Sequence, residues 1–276
     1  MELFFAKYHG LGNDFILVEE DEVQTFDVGK LAVALCNRHT GIGADGLIVL
    51  KQKPRLEMLF YNSDGSTAPM CGNGIRCLAH YLYTSGLSAD KYVVKTGAGD
   101  MPVEIVSEEP FLVKINMGKP DFTPANIPVD TYRMEFINQD VEILGETITL
   151  SSVFMGTVHT VVFVDDLEKV NMEKTGDSIC HHPMFPNRTN VNFVQVIDRE
   201  TLRVRTYERG VGLTLACGSG CCAAAVISGK LGHTSNSVKV ELAYGALQVE
   251  TGEQVYMTGP AVRVYDGNLS MDLITM

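Results

Sequence analysis

The chain has little that would send it to a membrane, an export route or a nucleic acid. Its opening residues, MELFFAKYHGLGNDF, contain only a short apolar stretch; a basic leader running into an apolar segment and a small-residue cleavage site is missing. No uninterrupted apolar run approaches the roughly 20 residues needed to cross a bilayer. Positive charge is scarce, with 22 Lys and Arg against 34 Asp and Glu and a formal net charge of −12, which argues against a general affinity for phosphate backbones or anionic membrane surfaces. These absences lead us to expect a cytoplasmic protein with no nucleic-acid or membrane partner. A small anionic ligand is still allowed wherever local donors outweigh the global field.

Paired CxxC knuckles are also absent. Seven cysteines, at positions 36, 71, 77, 180, 217, 221 and 222, are an odd number in a chain without an export signal, so a disulfide framework is not expected and the spacings do not suit a zinc or iron–sulfur site. Cys36 and Cys77 fall on apolar helix faces, and Cys180, Cys221 and Cys222 lack glycine partners; these five read as small buried hydrophobes.

There is no low-complexity tract and no flexible linker, so a domain boundary has to sit in an ordinary loop. The turn-rich MGKPDFTPANIP, Met117 to Pro128, divides the chain near its middle. Short β-rich runs dominate: 57–61, 91–96, 111–117, 158–164, 192–197, 202–208 and 237–243. Helices are expected from a cap at Asp27 through Leu31, Leu35 and Cys36, after Gly74 with Ile75, Leu78 and Leu82 on one face until Gly86, and in the alanine-rich run after Gly220.

Each half carries one copy of a short repeat, CGNGIRCLA from Cys71 and CGSGCCAAA from Cys217, preceded by a β-rich run and followed by a helix. The repeat suggests a duplicated α+β architecture. A thiol is a poor base until its pKa falls, and a helix start lowers it, because unpaired amides and the macrodipole favour the thiolate. Gly72, Gly74, Gly218 and Gly220 would let a ligand approach the backbone and accept hydrogen bonds from it. One such unit suggests a nucleophile or an anion-binding loop. Two facing units suggest a base and an acid that invert the carbon between them.

With the two cysteine motifs in place, KYHGLGNDF (7–15), NRHTGIGADG (37–46), YNSDGS followed by MCGNGIRC (61–77), FPNRTNVNFV (185–194) and YERGVGLTLACGSG (207–220) follow in an order that resembles the diaminopimelate epimerase family, from Lys7 to about Gly267. The resemblance implies an α+β fold of two pseudo-symmetric halves, each a β-barrel-like sheet around a central helix, with the active site in the cleft between them. It divides the chain into residues 1–117 with Cys71, to which a segment of about 263–276 returns, and residues 118–262 with Cys217. It implies an isomerase, without pyridoxal phosphate or metal, that inverts LL-2,6-diaminopimelate to the meso form in lysine and peptidoglycan-precursor biosynthesis, and a homodimer.

Carried over by position, Cys71 and Cys217 are the acid–base pair, and Gly72, Asn73, Gly218 and Ser219 supply donors to the reacting carboxylate. Asn13, Asn62, Asn190, Glu208 and Arg209 match positions that hold substrate, with Glu208 also counted among the catalytic groups. On residue chemistry alone Arg209 offers a fork that suits a carboxylate or else a surface ion pair, and Asn13 and Asn62 orient polar groups or else sit in turns. On its own chemistry His159 is either a core histidine or a neutral ring polarising a thiol or the carboxylate; the resemblance favours the active site and counts it among the catalytic groups.

Some positions depart from the family. MGTVH stands for MGNPH, placing Thr157 and Val158 where asparagine and proline are usual; Gly46 replaces a glutamine found in some members, and Leu213 a frequent glutamate. Thr157 lacks the paired donor and acceptor of an amide, so water or a neighbour compensates, or the substrate differs. The rival readings are a racemase of another amino acid, an amino-acid-binding protein and a redox-sensing dithiol.

Overall fold

The computed structural model describes residues 2–87 and 89–271. The chain divides into two compact units, one made of the residues up to Ile115 and those from Gly259 on, the other of Asn116–Thr258. The returning segment expected at 263–276 runs as a strand over Val262–Ser270; residues 272–276 lie outside the described residues.

The first sheet is built, strand beside strand, from Val262–Ser270, Glu2–Gly10, Asn13–Glu19, Gly46–Lys51, Glu57–Asn62, Lys91–Thr96, Gly99–Glu108 and Phe111–Gly118. The second follows Gln139–Ile143, Glu146–Phe154, Val158–Phe163, Asn190–Asp198, Thr201–Glu208, Ser237–Leu242, Gly245–Glu250 and Val255–Pro260. Both are mixed, and their junctions alternate in the same way: antiparallel, antiparallel, parallel, antiparallel, parallel, antiparallel, antiparallel. The fold is α+β and the two halves are duplicates in topology. Neither sheet closes into a barrel, because no ladder joins its first strand to its last among the described residues.

A helix follows the fifth strand of each sheet and packs against strands on several sides: Gly72–Thr84 in the first unit, Gly218–Lys230 in the second. Both end in the same manner. Gly86 (φ 93°) and Gly232 (φ 79°) take the left-handed conformation just past the helix, while the amides of Leu87 and His233 reach back to the carbonyls of Leu82 and Ser228 at 3.1 and 2.9 Å. A second helix covers the other face of each sheet. Val28–Cys36 is capped by Asp27, and Met172–Cys180 by Asn171, each through a side-chain oxygen accepting from the amide three residues on. The parallel pair in the middle of each sheet is therefore covered on both faces, which is why Gly46–Leu50 and Asn190–Val194 are buried without alternation.

The duplication reaches single side chains. Cys36 and Cys180 occupy the same position on the covering helices and are buried in matching cores. Glu57 pairs with Lys95 (2.7 Å) across the second parallel junction of the first sheet, and Arg203 with Glu241 (3.1 Å) at the matching junction of the second, with the signs exchanged. Among the described residues no helix is long and apolar enough to cross a membrane.

Candidate active site

Cys71 and Cys217 are the N-cap residues of the two central helices, both in extended backbone conformation (φ −135° and −118°). The first helix therefore starts at Gly72 rather than after Gly74. An N-cap side chain lies beside the unpaired amides of the first turn, and the amide of Gly74 points at Cys71 Sγ at 3.4 Å.

In the first unit, Asn73 donates through Nδ2 to Asn13 Oδ1 (3.0 Å), and Asn13 donates through its own Nδ2 to Asp45 (2.7 Å). Asp45 accepts from Arg38 (2.8 Å), which also grips Asp14 (2.6 Å); Lys7 pairs with Asp14 at 2.6 Å and donates to the Gly43 carbonyl. Burial pushes the Asp14 carboxyl up, but Arg38 and Lys7 more than offset this and hold it down at about 2. Asn13 is thus clamped by an ion network rather than free in a turn. Asn62 ends its strand and donates to Ser66 Oγ at 2.9 Å. Gly46 offers no side chain to a ligand, and a Cβ there would lie 2.6 Å from the Phe60 ring.

In the second unit, Cys217 Sγ lies 3.6 Å from Ser219 Oγ, which lies 3.0 Å from His159 Nε2. Burial pushes the Cys217 thiol well above its ordinary value and the Glu208 charge adds to this; Ser219 and the Gly220 amide act the other way. In this state Cys217 carries its proton at neutral pH. His159 is fully buried, and burial, with the nearby Arg209 charge, lowers its pKa to about 3, so the ring is neutral. It meets the thiol only through Ser219.

Glu208 accepts from Thr214 at 2.6 Å. Asn190 uses Nδ2 on Thr157 Oγ1 (3.2 Å) and on the Val158 carbonyl (3.0 Å), while its Oδ1 accepts from the Arg209 amide (3.0 Å). Thr157 thus accepts from Asn190, and most of the hydrogen-bonding capacity of the Asn190 amide is taken up by the protein. The exposed Arg209 donates to the Asn187 carbonyl at 3.1 Å.

The second glycine of each motif has a different job from the one expected. A Cβ on Gly220 would lie 2.3 Å from Asn192 Oδ1, and one on Gly74 would lie 3.1 Å from Ile48 Cδ1. Both face the sheet, so they let the helix approach its own strands rather than let a ligand approach the helix. Cys36, Cys77, Cys180, Cys221 and Cys222 are buried. Asn192, Asp45 and Thr214 were missed in the sequence. For Asn192 a signal existed: in NVNFV it shares a strand face with Asn190, and two amides on one face of a buried strand need partners.

A model of the family described as diaminopimelate epimerase matches residues 5–123 and 151–264. The chain belongs to the diaminopimelate epimerase family. A diaminopimelate epimerase of Caldanaerobacter subterraneus subsp. tengcongensis is 46% identical over 274 residues, covering 97% of this chain and 99% of the relative. One of Halothermothrix orenii is 43% identical over 279 residues, covering 98% of each. Solved structures extend the family's fold further. A hydroxyproline epimerase from Agrobacterium vitis has a TM-score of 0.70 at 13% identity, over 98% of this chain and 93% of that one. A PhzF-family phenazine biosynthesis protein of Bacillus anthracis has a TM-score of 0.69 at 16% identity, over 98% and 99%. At such identities the likeness is one of fold.

Proposed function

We propose that this chain is an isomerase that inverts the α-carbon of LL-2,6-diaminopimelate to give the meso form, with Cys71 and Cys217 as the acid–base pair. The observation that carries this reading is the equivalence of the two cysteines, each the N-cap of the central helix of a duplicated half. An α-proton beside a carboxylate is hard to remove because charge builds on that carboxylate as it leaves. Helix-start amides meet that charge with fixed dipoles. One sulfur takes the proton on one face while the other delivers a proton on the opposite face, so the carbon inverts and the proton count is unchanged. On this reading Cys217, protonated at rest, is the acid in one direction and the base in the other.

Gly72, Asn73, Gly218 and Ser219 provide the donors around the reacting carboxylate. Asn62, Glu208 and Arg209 hold the rest of the substrate, with Asn13 and Asn190 fixing the groups beside them. The diaminopimelate epimerases at 43–46% identity over nearly the whole chain favour diaminopimelate over another amino acid. The working form is a homodimer in the cytoplasm acting on a small amino acid, without pyridoxal phosphate or metal.

Incubation in deuterium oxide with LL-diaminopimelate, and separately with other diamino and basic amino acids, tests the reading. Deuterium should enter the α-position of diaminopimelate fastest as the meso form appears. Cys71→Ala and Cys217→Ala should each lose inversion by more than about 1,000-fold. No wash-in with any of these substrates, or either variant retaining most activity, would sink the proposal.

A further inference from the structure

Asn192 is fully buried in the strand Asn190–Asp198 and makes a complete set of contacts. Its Nδ2 donates to the Thr160 carbonyl (3.1 Å) and lies 3.2 Å from His159 Nδ1, while its Oδ1 accepts from Thr206 Oγ1 (3.0 Å). The carbonyl settles which way the amide points, because an oxygen turned toward it would set acceptor against acceptor. With Nδ2 facing the ring, His159 Nδ1 has to accept, and the single proton of the neutral imidazole sits on Nε2. That proton is donated to Ser219 Oγ, 3.0 Å away. Ser219 is then left with its own proton to point at Cys217 Sγ.

We infer that Asn192 is a positioning residue of the reaction: it locks His159 as the Nε2–H tautomer, so that Ser219 donates to the Cys217 sulfur. The inference rests on the epimerase reading for its purpose but on the hydrogen-bond geometry for its content. When Cys217 gives up its proton to the α-carbon, its sulfur becomes an anion in a buried place, and the Ser219 hydroxyl is already aimed at it. In the other tautomer Nε2 would take the serine proton and the sulfur would lose its donor.

The corresponding place in the first unit has no such chain. The ladders set Phe15 beside Gly46 as they set His159 beside Asn190, and Leu47 opposite Tyr61 as Val191 opposite Tyr207. On this register Phe15, Ile48 and Phe60 stand where His159, Asn192 and Thr206 stand. The fold can fill these positions with apolar side chains, so the polar trio is not needed to build it.

The test is the 15N spectrum of the imidazoles in the wild-type protein, with the His159 signals identified by their loss in His159→Gln. The expected pattern is a protonated Nε2 and a bare Nδ1. In Asn192→Leu the amide that feeds Nδ1 is gone, so the Nε2–H form should no longer dominate, and kcat for diaminopimelate should fall roughly 10- to 100-fold, the range of a lost hydrogen bond to a charged group, with KM changed little. A protonated Nδ1 in the wild type overturns the inference even if no variant folds. So does an Asn192→Leu protein that keeps the Nε2–H form, or that loses it with kcat intact. Absence of deuterium wash-in by the wild type would defeat the epimerase reading while leaving the tautomer measurement standing.

Discussion

Phe15 and Phe60 meet edge to face at 5.9 Å beside Ile48 in the first half, while the second half places His159, Asn192 and Thr206 at the same positions of the same sheet. Burying three polar side chains costs free energy unless each is fully hydrogen-bonded, and even then an apolar trio of similar shape is often at least as stable. The first half shows that this scaffold accepts the apolar solution. The polar solution in the second half is therefore a marker of work done at Cys217, whereas the first half keeps its polar network nearer the surface, in Lys7, Asp14, Arg38, Asp45 and Asn13. Gly46 follows from the same exchange: with Phe60 beneath it there is no room for a side chain, and with the smaller Thr206 at the matching place Asn190 fits.

The largest effect should come from erasing this difference. His159→Phe, Asn192→Ile and Thr206→Val together give the second half the apolar character of the first. Inversion should fall by about 100-fold or more, while unfolding in denaturant shows stability unchanged or raised by up to about 2 kcal/mol. A strongly destabilised triple variant would mean that the polar trio holds the fold together, and the contrast between the halves would lose its functional meaning.

How much of this was open to sequence reading differs between the two levels. The β-rich runs chosen from residue pattern all fall on strands, and the cap at Asp27 and the stop at Gly86 are where expected. Others were hidden by local chemistry. Glu2–Gly10 and Asn13–Glu19 form a hairpin through Leu11 and Gly12 at φ 59° and 90°, and leucine gives no sign of a turn that asparagine would announce. Gly99–Glu108 has Pro102 in its middle, and the helix Met172–Cys180 carries Gly176, where a Cβ would lie 2.7 Å from Tyr207. In the site, the cysteines and their helix starts could be read because N-cap chemistry is local. The relay from Asn192 could not, since it joins strands 33 residues apart.

Acid should separate the halves by a few kcal/mol or less. His159, held at about 3 against an ordinary 6.5, stays neutral in the fold while the unfolded chain takes up a proton. Its contribution is whole above 6.5 and is lost as pH falls toward 3, on the order of a few kcal/mol at most. Asp14, held at about 2 against 3.8, loses its contribution only below 3.8. Burial shifts the half-buried His80 of the Cys71 half in the same direction as His159 but by less, so hydrogen-exchange protection, corrected for the intrinsic effect of pH, should fall below about pH 6 in both halves and further in the Cys217 half. His159→Gln should remove this difference. Equal loss in both halves of the wild type would show that His159 does not set the acid limit.

The smallest contrast lies in a pair of methyl groups. Alanine at Gly74 meets the Cδ1 end of Ile48 at 3.1 Å, a group that swings aside, and gains about 1 kcal/mol of helix propensity, so Gly74→Ala should be nearly neutral. At Gly220 the new carbon meets Asn192 Oδ1 at 2.3 Å, on a side chain pinned by the Thr160 carbonyl, His159 and Thr206 that cannot turn without breaking those bonds. Gly220→Ala should therefore cost about 1–3 kcal/mol despite the same propensity gain, and it should lower kcat by displacing Asn192 from His159. Thermal unfolding and steady-state kinetics of the two single variants decide it. Equal costs would mean that the glycines do the same job in both halves and that the crowding around Asn192 places no special demand on the second.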